Sequence, residues 1–248
     1  MLKIDIHVHT WFSDSTGSVE EVMETAQRKG LDGIAITDHD TIEGACEALK
    51  KKGSLIVIPG EEVETDRGEI LALGIEKAIP RRLPIVEAIN MVHIQGGLVI
   101  IPHPTVPFFN KLKEETMKKL SIDGLEVFSA ATPSPRYFLR KNLEIVKSLK
   151  VSILAGSDSH LPETVGDAYT LVYSESRDLD SLLRAIKLGR TAIVPHPSNL
   201  TSKLKMYIKG GTHLLLRALN LDKGSVIYRS ASADPCLINS KGKEFHLV

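Results

Sequence analysis

Residues Asp5 to Thr10 read Asp-Ile-His-Val-His-Thr and open a series of imidazole and carboxylate clusters along the chain. Asp14, Asp38-His39, Glu62, His103 and Ser157-Asp158-Ser159-His160 follow. Two histidines at i and i+2 on a strand point to one side, because side chains alternate faces with a period of two, so His7 and His9 are placed to grip one ion together. By the same parity Asp5 shares their face, and it is read as supporting the ligands rather than binding an ion. Imidazole and carboxylate without thiolate suit Zn, Mn or Fe. Eight candidate ligands, His7, His9, Asp14, His39, Glu62, His103, Asp158 and His160, exceed the needs of one ion that keeps positions open for water and substrate. Two or three divalent ions are therefore expected.

The neighbours of these residues read as supports. Asp38 is expected to hold the His39 imidazole or to cap a helix starting at Thr41, and Asp40 shares that ambiguity. Glu61 and Glu64 read as polar neighbours of Glu62, and His93 and His246 as helix-face or surface residues. His196, between two prolines, echoes Pro102-His103-Pro104 without the same claim to the site.

The later clusters come directly after apolar, β-branched runs at 33–37, 98–101 and 151–155. The ligand candidates thus gather at strand ends, where a strand-and-helix barrel builds its active site. Pattern and turn residues predict strands near 3–8, 33–37, 54–58, 69–74, 98–101, 124–128, 152–155, 169–173 and 191–194. Helices are predicted near 18–29, 41–51, 84–95, 112–119, 134–149 and 178–188. This alternation is that of βαβ units and a parallel sheet. Ser18 with Glu21 forms a capping-box spacing, and Gly30 marks the stop of the first helix. Thr65-Asp66-Arg67-Gly68 reads as the turn of a hairpin at the barrel mouth. Beyond residue 202 a helix at 212–221 and a strand at 225–230 are expected, as a closing element on the barrel or an appendage that meets a partner.

With 248 residues the chain fits one barrel-sized domain. Lys plus Arg equals Asp plus Glu at 31 each, so net charge favours neither nucleic acid nor membrane. The absence of an evident basic-aromatic surface argues against long nucleic acid as a partner. Cys46 and Cys236 are far apart and read as reduced thiols, which points to the cytoplasm. Met1-Leu2-Lys3-Ile4 runs straight into the first motif, leaving no room for a signal sequence, and no apolar run approaches the ~18 residues of a membrane span. Oligomeric state is not legible.

The ordered motifs resemble those of the polymerase and histidinol phosphatase family of metal-dependent phosphoesterases: His7-x-His9-Thr10, Ser13-Asp14, Thr37-Asp38-His39-Asp40, Gly60-x-Glu62, Pro102-His103-Pro104 and Ser157-Asp158-x-His160. The resemblance spans roughly residues 1 to 195, with Ser159 a mild departure in the last motif. It implies a distorted (β/α)7 TIM-like barrel over 1–201, with the metal site at the C-terminal ends of the strands and an extension over 202–248. It also implies that His7, His9 and Asp158 hold a first ion, that Glu62 bridges to a second held by His103, and that Asp14, His39 and His160 hold a third. Water activated between adjacent ions would cleave a phosphate ester of a small metabolite or nucleotide. Asp158, as base, and Glu62 are the candidate catalytic residues. Arg136, on a mouth loop, and Arg67, at the hairpin turn, are the candidate phosphate-binding residues. Two other readings stand beside this one. An amidohydrolase also begins with His-x-His but expects a bridging lysine where Glu62 stands. A non-catalytic metal-stabilised module would tend to have lost ligands.

Overall fold

A computed structural model describes residues 1–51, 53–106 and 112–208. In chain order the elements are β1 (Leu2–Val8), α1 (Val19–Arg28), β2 (Gly33–Ile36), α2 (Glu43–Lys50), β3 (Ile56–Thr65), β4 (Gly68–Leu73), α3 (Ile85–Ile94), β5 (Leu98–Ile101), α4 (Glu114–Met117), β6 (Gly124–Ser129), α5 (Pro135–Leu149), β7 (Ser152–Gly156), β8 (Tyr169–Val172), α6 (Leu179–Lys187) and β9 (Thr191–Val194). Residues 200–208 are also helical. The elements expected at 212–221 and 225–230 lie outside the described residues.

Two elements differ in length from expectation. β3 runs to Thr65 instead of ending at 58, because its second half pairs antiparallel with β4 through Thr65↔Gly68 as the arm of a hairpin. α4 covers only Glu114–Met117 instead of 112–119. Past it, the N–H groups of Lys119 and Leu120 donate to the carbonyls three residues back, which tightens the turn and ends the helix. α1 begins as its sequence dictates, with Ser18 and Glu21 reciprocally capped, and ends before Gly30 at φ +70°.

The sheet order is β7-β6-β5-β4-β3-β2-β1-β8-β9. Pairs β1–β2, β2–β3, β5–β6 and β6–β7 are parallel, whereas β4 runs antiparallel to both neighbours. The sheet nearly closes where β1 meets the end of β7: the His9 N–H donates to the Ser159 carbonyl at 3.0 Å, and the Asp158 N–H to the His7 carbonyl at 2.9 Å. The opposite half of β1 pairs antiparallel with β8 instead, Leu2 facing Val172 and Ile4 facing Thr170. The result is a distorted barrel of seven strands with the β8–β9 hairpin inserted beside β1. Ile4, Ile6, Ala35, Ile58, Leu71, Leu73, Leu98, Ile100 and Leu154 fill its interior, and Leu182, Leu183 and Ile186 of α6 cover the end where β1 and β5 begin.

Two bulges aim the side chains. β1 uses three steps, Asp5 to Val8, where β2 uses two, Ile34 to Ile36. Val8 packs outside with Ile34 and Ile36, whereas Ile6 joins the interior cluster. Asp5 and His7 therefore lie on opposite faces, and the expectation that Asp5 shares the histidines' face is corrected: parity fails across a bulge. β6 carries a second bulge between Glu126 and Phe128, which leaves Val127 and Phe128 both in outer clusters.

From its outer position the Asp5 carboxylate accepts the N–H groups of His7 at 3.3 Å, Ser157 at 2.9 Å and Gly166 at 2.8 Å. It thus ties β1 to the segments on either side of the closure. Asp5→Ala leaves those donors without their acceptor, and should lower the unfolding free energy by roughly 2–4 kcal/mol. Denaturant titration of the metal-free protein checks this, and a loss below about 0.5 kcal/mol would remove Asp5 from the closure.

Candidate metal centre

The mouth ends of five strands, β1, β2, β3, β5 and β7, deliver the ligand candidates. His7 lies in β1, His9 directly after it, and Asp14 in the loop leading to α1. His39 follows β2, and Glu62 stands on the part of β3 that extends into the hairpin. His103 follows β5, and Asp158 and His160 follow β7. His103 at φ +27° and Asp158 at φ +52° hold backbone conformations rare for side-chain-bearing residues. His103 does so next to Pro104, whose ring restricts it further.

The eight side chains converge. His7 Nε2 lies 3.0 Å from His9 Nε2 and 3.1 Å from Glu62 Oε2. Asp158 Oδ1 lies 3.6 Å from His7 Nε2 and 3.5 Å from His9 Nε2. Glu62 is central: Oε2 is also 3.3 Å from His9 Nε2 and 3.4 Å from His39 Nδ1, while Oε1 is 3.4 Å from His103 Nε2. On the far side of His9, Asp14 approaches His160 Nε2 at 3.2 Å and His39 Nε2 at 3.8 Å. Potential ligand atoms within 4.8 Å of one another group as His7-His9-Glu62, as His7-His103-Asp158 and as His9-Asp14-His39-His160. A further group, His39-Glu62-Glu69, brings in a β4 carboxylate across the hairpin that the sequence reading passed over.

The support around the cluster differs from expectation. Asp38 neither holds His39 nor caps α2; its buried carboxylate accepts the Thr10 N–H at 2.6 Å, the Thr10 hydroxyl at 2.7 Å and the Ser13 hydroxyl at 2.8 Å. It thereby fixes the loop that carries Asp14. Gly44 at the start of α2 leaves room for it, since a Cβ there would lie 2.1 Å from Asp38 Oδ2. Asp40 accepts the Glu64 N–H and pairs with Arg81. The residue that orients His7 is one the sequence reading missed: Glu126 Oε1 lies 3.2 Å from His7 Nδ1, and Oε2 accepts the His103 N–H at 3.0 Å. A glutamate inside the apolar run of β6 was its available signal. Ser129, also missed, donates its hydroxyl to Asp158 Oδ2 at 3.2 Å. Arg67 is exposed at the hairpin turn beside Asp66, and Arg136 is exposed on the first turn of α5. Neither makes an ion pair with the ligand cluster among the described residues. His196 is exposed, and His93 pairs with Asp123.

Electrostatics make the site a trap for positive charge. Burial alone would raise the carboxyls of Asp14, Glu62 and Asp158, but the surrounding imidazoles hold all three below the usual carboxylate range. Burial would lower the histidines, yet the carboxylates raise His7 and His160 and push His9 to about 10 and His103 to about 9. For His39 burial wins, at about 4. In the metal-free state the histidine protons balance the carboxylates. His9 Nδ1 and Glu62 Oε1 are buried without a hydrogen-bond partner among the described residues. Ring nitrogens facing one another at 3.0 Å, three carboxylates and unbonded donor atoms fit divalent cations.

Comparison with known proteins agrees with this geometry. Residues 137–191 match the model of a PHP-associated family. The chain is 37% identical over 142 residues, 52% of its own length and 82% of the relative, to an uncharacterized protein of Methanocaldococcus jannaschii. It is 33% identical over 211 residues, 81% of this chain and 72% of the relative, to a 5'-3' exoribonuclease of Haemophilus influenzae. A two-domain protein from Bacteroides vulgatus containing a predicted PHP-like metal-dependent phosphoesterase superposes with TM-score 0.68 at 20% identity, over 79% of this chain and 65% of that one. The chain belongs to the polymerase and histidinol phosphatase family. Its membership agrees with a metal-binding His/Asp/Glu cluster at the barrel mouth. No described helix is long and apolar enough to cross a membrane.

The raised histidines give the metal-free fold a defined pH response. His9 and His103 bind protons more tightly folded than at their ordinary 6.5, so their contribution is complete below 6.5 and lost as pH rises through about 9 and about 10. His39 opposes this only on the acid side, between 6.5 and about 4. Metal must displace the protons, so metal affinity should instead rise with pH. Melting curves across this range should show the metal-free protein losing stability with rising pH and added metal restoring it most strongly at high pH. A metal-free midpoint that climbs between neutral pH and pH 10 would contradict the protonated cluster.

Proposed function

We propose that this protein hydrolyses phosphate esters of a small metabolite or nucleotide, using water activated at two or three divalent ions, of Zn, Mn or Fe type, held by His7, His9, Asp14, His39, Glu62, His103, Asp158 and His160. The carrying observation is the central Glu62, which reaches four imidazoles with its two oxygens. Ions bound there would supply Lewis acidity to a phosphoryl oxygen and lower the pKa of water. The chain's own residues supply the rest. Asp158 is oriented by the Ser129 hydroxyl and by its own N–H on the His7 carbonyl, with Oδ1 turned to the cluster, where it can take the proton of the attacking water.

Water is favoured as nucleophile because the hydroxyls beside the cluster are engaged: Ser129 donates to Asp158, Ser157 to the His7 carbonyl and Ser159 to the Leu161 carbonyl. A carboxylate, Glu62, stands at the centre of the cluster within reach of four imidazoles, where an amidohydrolase would use a lysine. This supports the phosphoesterase reading over the amidohydrolase. All eight candidate ligands converge, which favours an enzyme over a non-catalytic module.

Protein expressed with ample metal should carry two or three transition-metal ions per chain by elemental analysis. It should release phosphate from a panel of mono- and diesters, stop with chelator and recover when metal returns. One ion or fewer per chain would end the multinuclear reading, and activity that survives complete metal removal would end the mechanism.

Asp158→Asn should cut turnover by roughly 10²–10⁴ even at saturating metal, the usual worth of a positioned base. His160→Ala should chiefly weaken the ion beside Asp14 and His39 and be partly rescued by excess metal. Turnover and metal content measured together decide it: near-normal turnover of Asp158→Asn removes Asp158 from the catalytic residues.

A further inference from the structure

Beyond β9 the chain climbs back to the barrel mouth and lies across the loop that follows β6. The Ser198 N–H donates to the Ala130 carbonyl at 3.2 Å, the Lys203 ammonium to the Thr132 carbonyl at 2.6 Å, and the Tyr207 hydroxyl to the Ala131 carbonyl at 2.5 Å. This loop leads directly to the metal cluster. Thr132 donates its hydroxyl to the Ser129 carbonyl at 3.0 Å, and the Ser129 hydroxyl donates to Asp158. Tyr207, one turn beyond Lys203, has its phenol raised by burial and, to a lesser extent, by the charge of Asp158.

Lys203 is the unusual member. It is only 6% exposed, its ammonium makes no ion pair among the described residues, and the acid whose charge acts on it, Asp167, is already paired with Lys29 at 2.8 Å. Lys205, two residues on, is exposed and pairs with Glu163 in the ordinary way. An ammonium offers three donors, and one carbonyl engages one of them. Ser198, 5% exposed, buries a hydroxyl without a hydrogen-bond partner beside the same loop. A buried cation with spare donors is destabilising until an anion meets it. The two arginines expected from the sequence are exposed and carry no such penalty.

We propose that Lys203 is the cation that receives an anionic group of the substrate, with the Ser198 hydroxyl as a second donor, so that the helical segment 200–208 forms the anion-holding wall of the metal cleft. The proposal rests on the phosphoesterase reading for its substrate and on this chain's own packing for its site. Lys203 acts in binding and leaves the water-activating step to Asp158.

The test uses the full-length, metal-loaded protein and two variants, Lys203→Met and Lys203→Gln. Gln keeps a donor for the Thr132 carbonyl; Met keeps neither donor nor charge. Calorimetric titration with inorganic phosphate should show about 10–100-fold weaker binding in both, the span of one charge-assisted hydrogen bond. Any ester turned over should show a raised KM with kcat changed far less. Melting midpoints should stay level or rise, because an uncompensated buried charge has been removed. Unchanged phosphate affinity with a lowered midpoint, or a variant that fails to fold, would overturn the proposal and make Lys203 a structural tie to Thr132. A wild type that binds phosphate through Lys203 but hydrolyses no ester would overturn the phosphoesterase reading and leave this one standing.

Discussion

Where β1 meets β7, the His7 carbonyl accepts the Asp158 N–H and the Ser159 carbonyl accepts the His9 N–H. The backbone that nearly closes the barrel is therefore the backbone that carries four of the eight ligand candidates and their neighbours. Such an approach requires a strand with nothing to put in the gap. Gly156 meets this need: a Cβ there would lie 2.6 Å from His7 Cβ and 2.8 Å from Glu126 Oε1. Any side chain at 156 would push β7 outward and separate His7 from the glutamate that orients it.

Buried carboxylates around the mouth fall into two functional layers. Asp14, Glu62 and Asp158 face imidazoles and are held ionised by them. Asp5 and Asp38 face backbone N–H groups and hydroxyls, and burial raises both, Asp5 to about 6. Glu126 joins the layers, with one oxygen on His7 and the other on the His103 N–H. Fixing each ligand through a backbone-anchored acid limits how far it moves when ions come and go.

The sequence made the elements and the convergence legible, because most of the nine described strands contain a short apolar run and most of the clusters follow one directly. It was blind where geometry departs from the regular pattern. The face of Asp5, though not its supporting role, was misassigned because one extra residue in β1 reverses the facing of everything after it. Asp38 was misassigned because its partners, Thr10 and Ser13, lie on another loop. Glu126 was overlooked because a single acid in an apolar strand gives no motif. Lys203 had no signal at all: its burial comes from a helix folding back over a loop seventy residues earlier.

The ligands enter the chain far apart in order, the first pair at residues 7 and 9 and the last at 158 and 160. A chain emerging from the ribosome thus presents its chelating histidines long before β7 exists to complete the cage. Contacts of such long sequence separation form slowly, after the loops between them have been ordered. Metal captured early by the nascent His-x-His would be held by an incomplete set of donors and exchange freely. With ions held as proposed, retention would begin only once β7 has docked, which would make metalation a late event in the birth of the molecule.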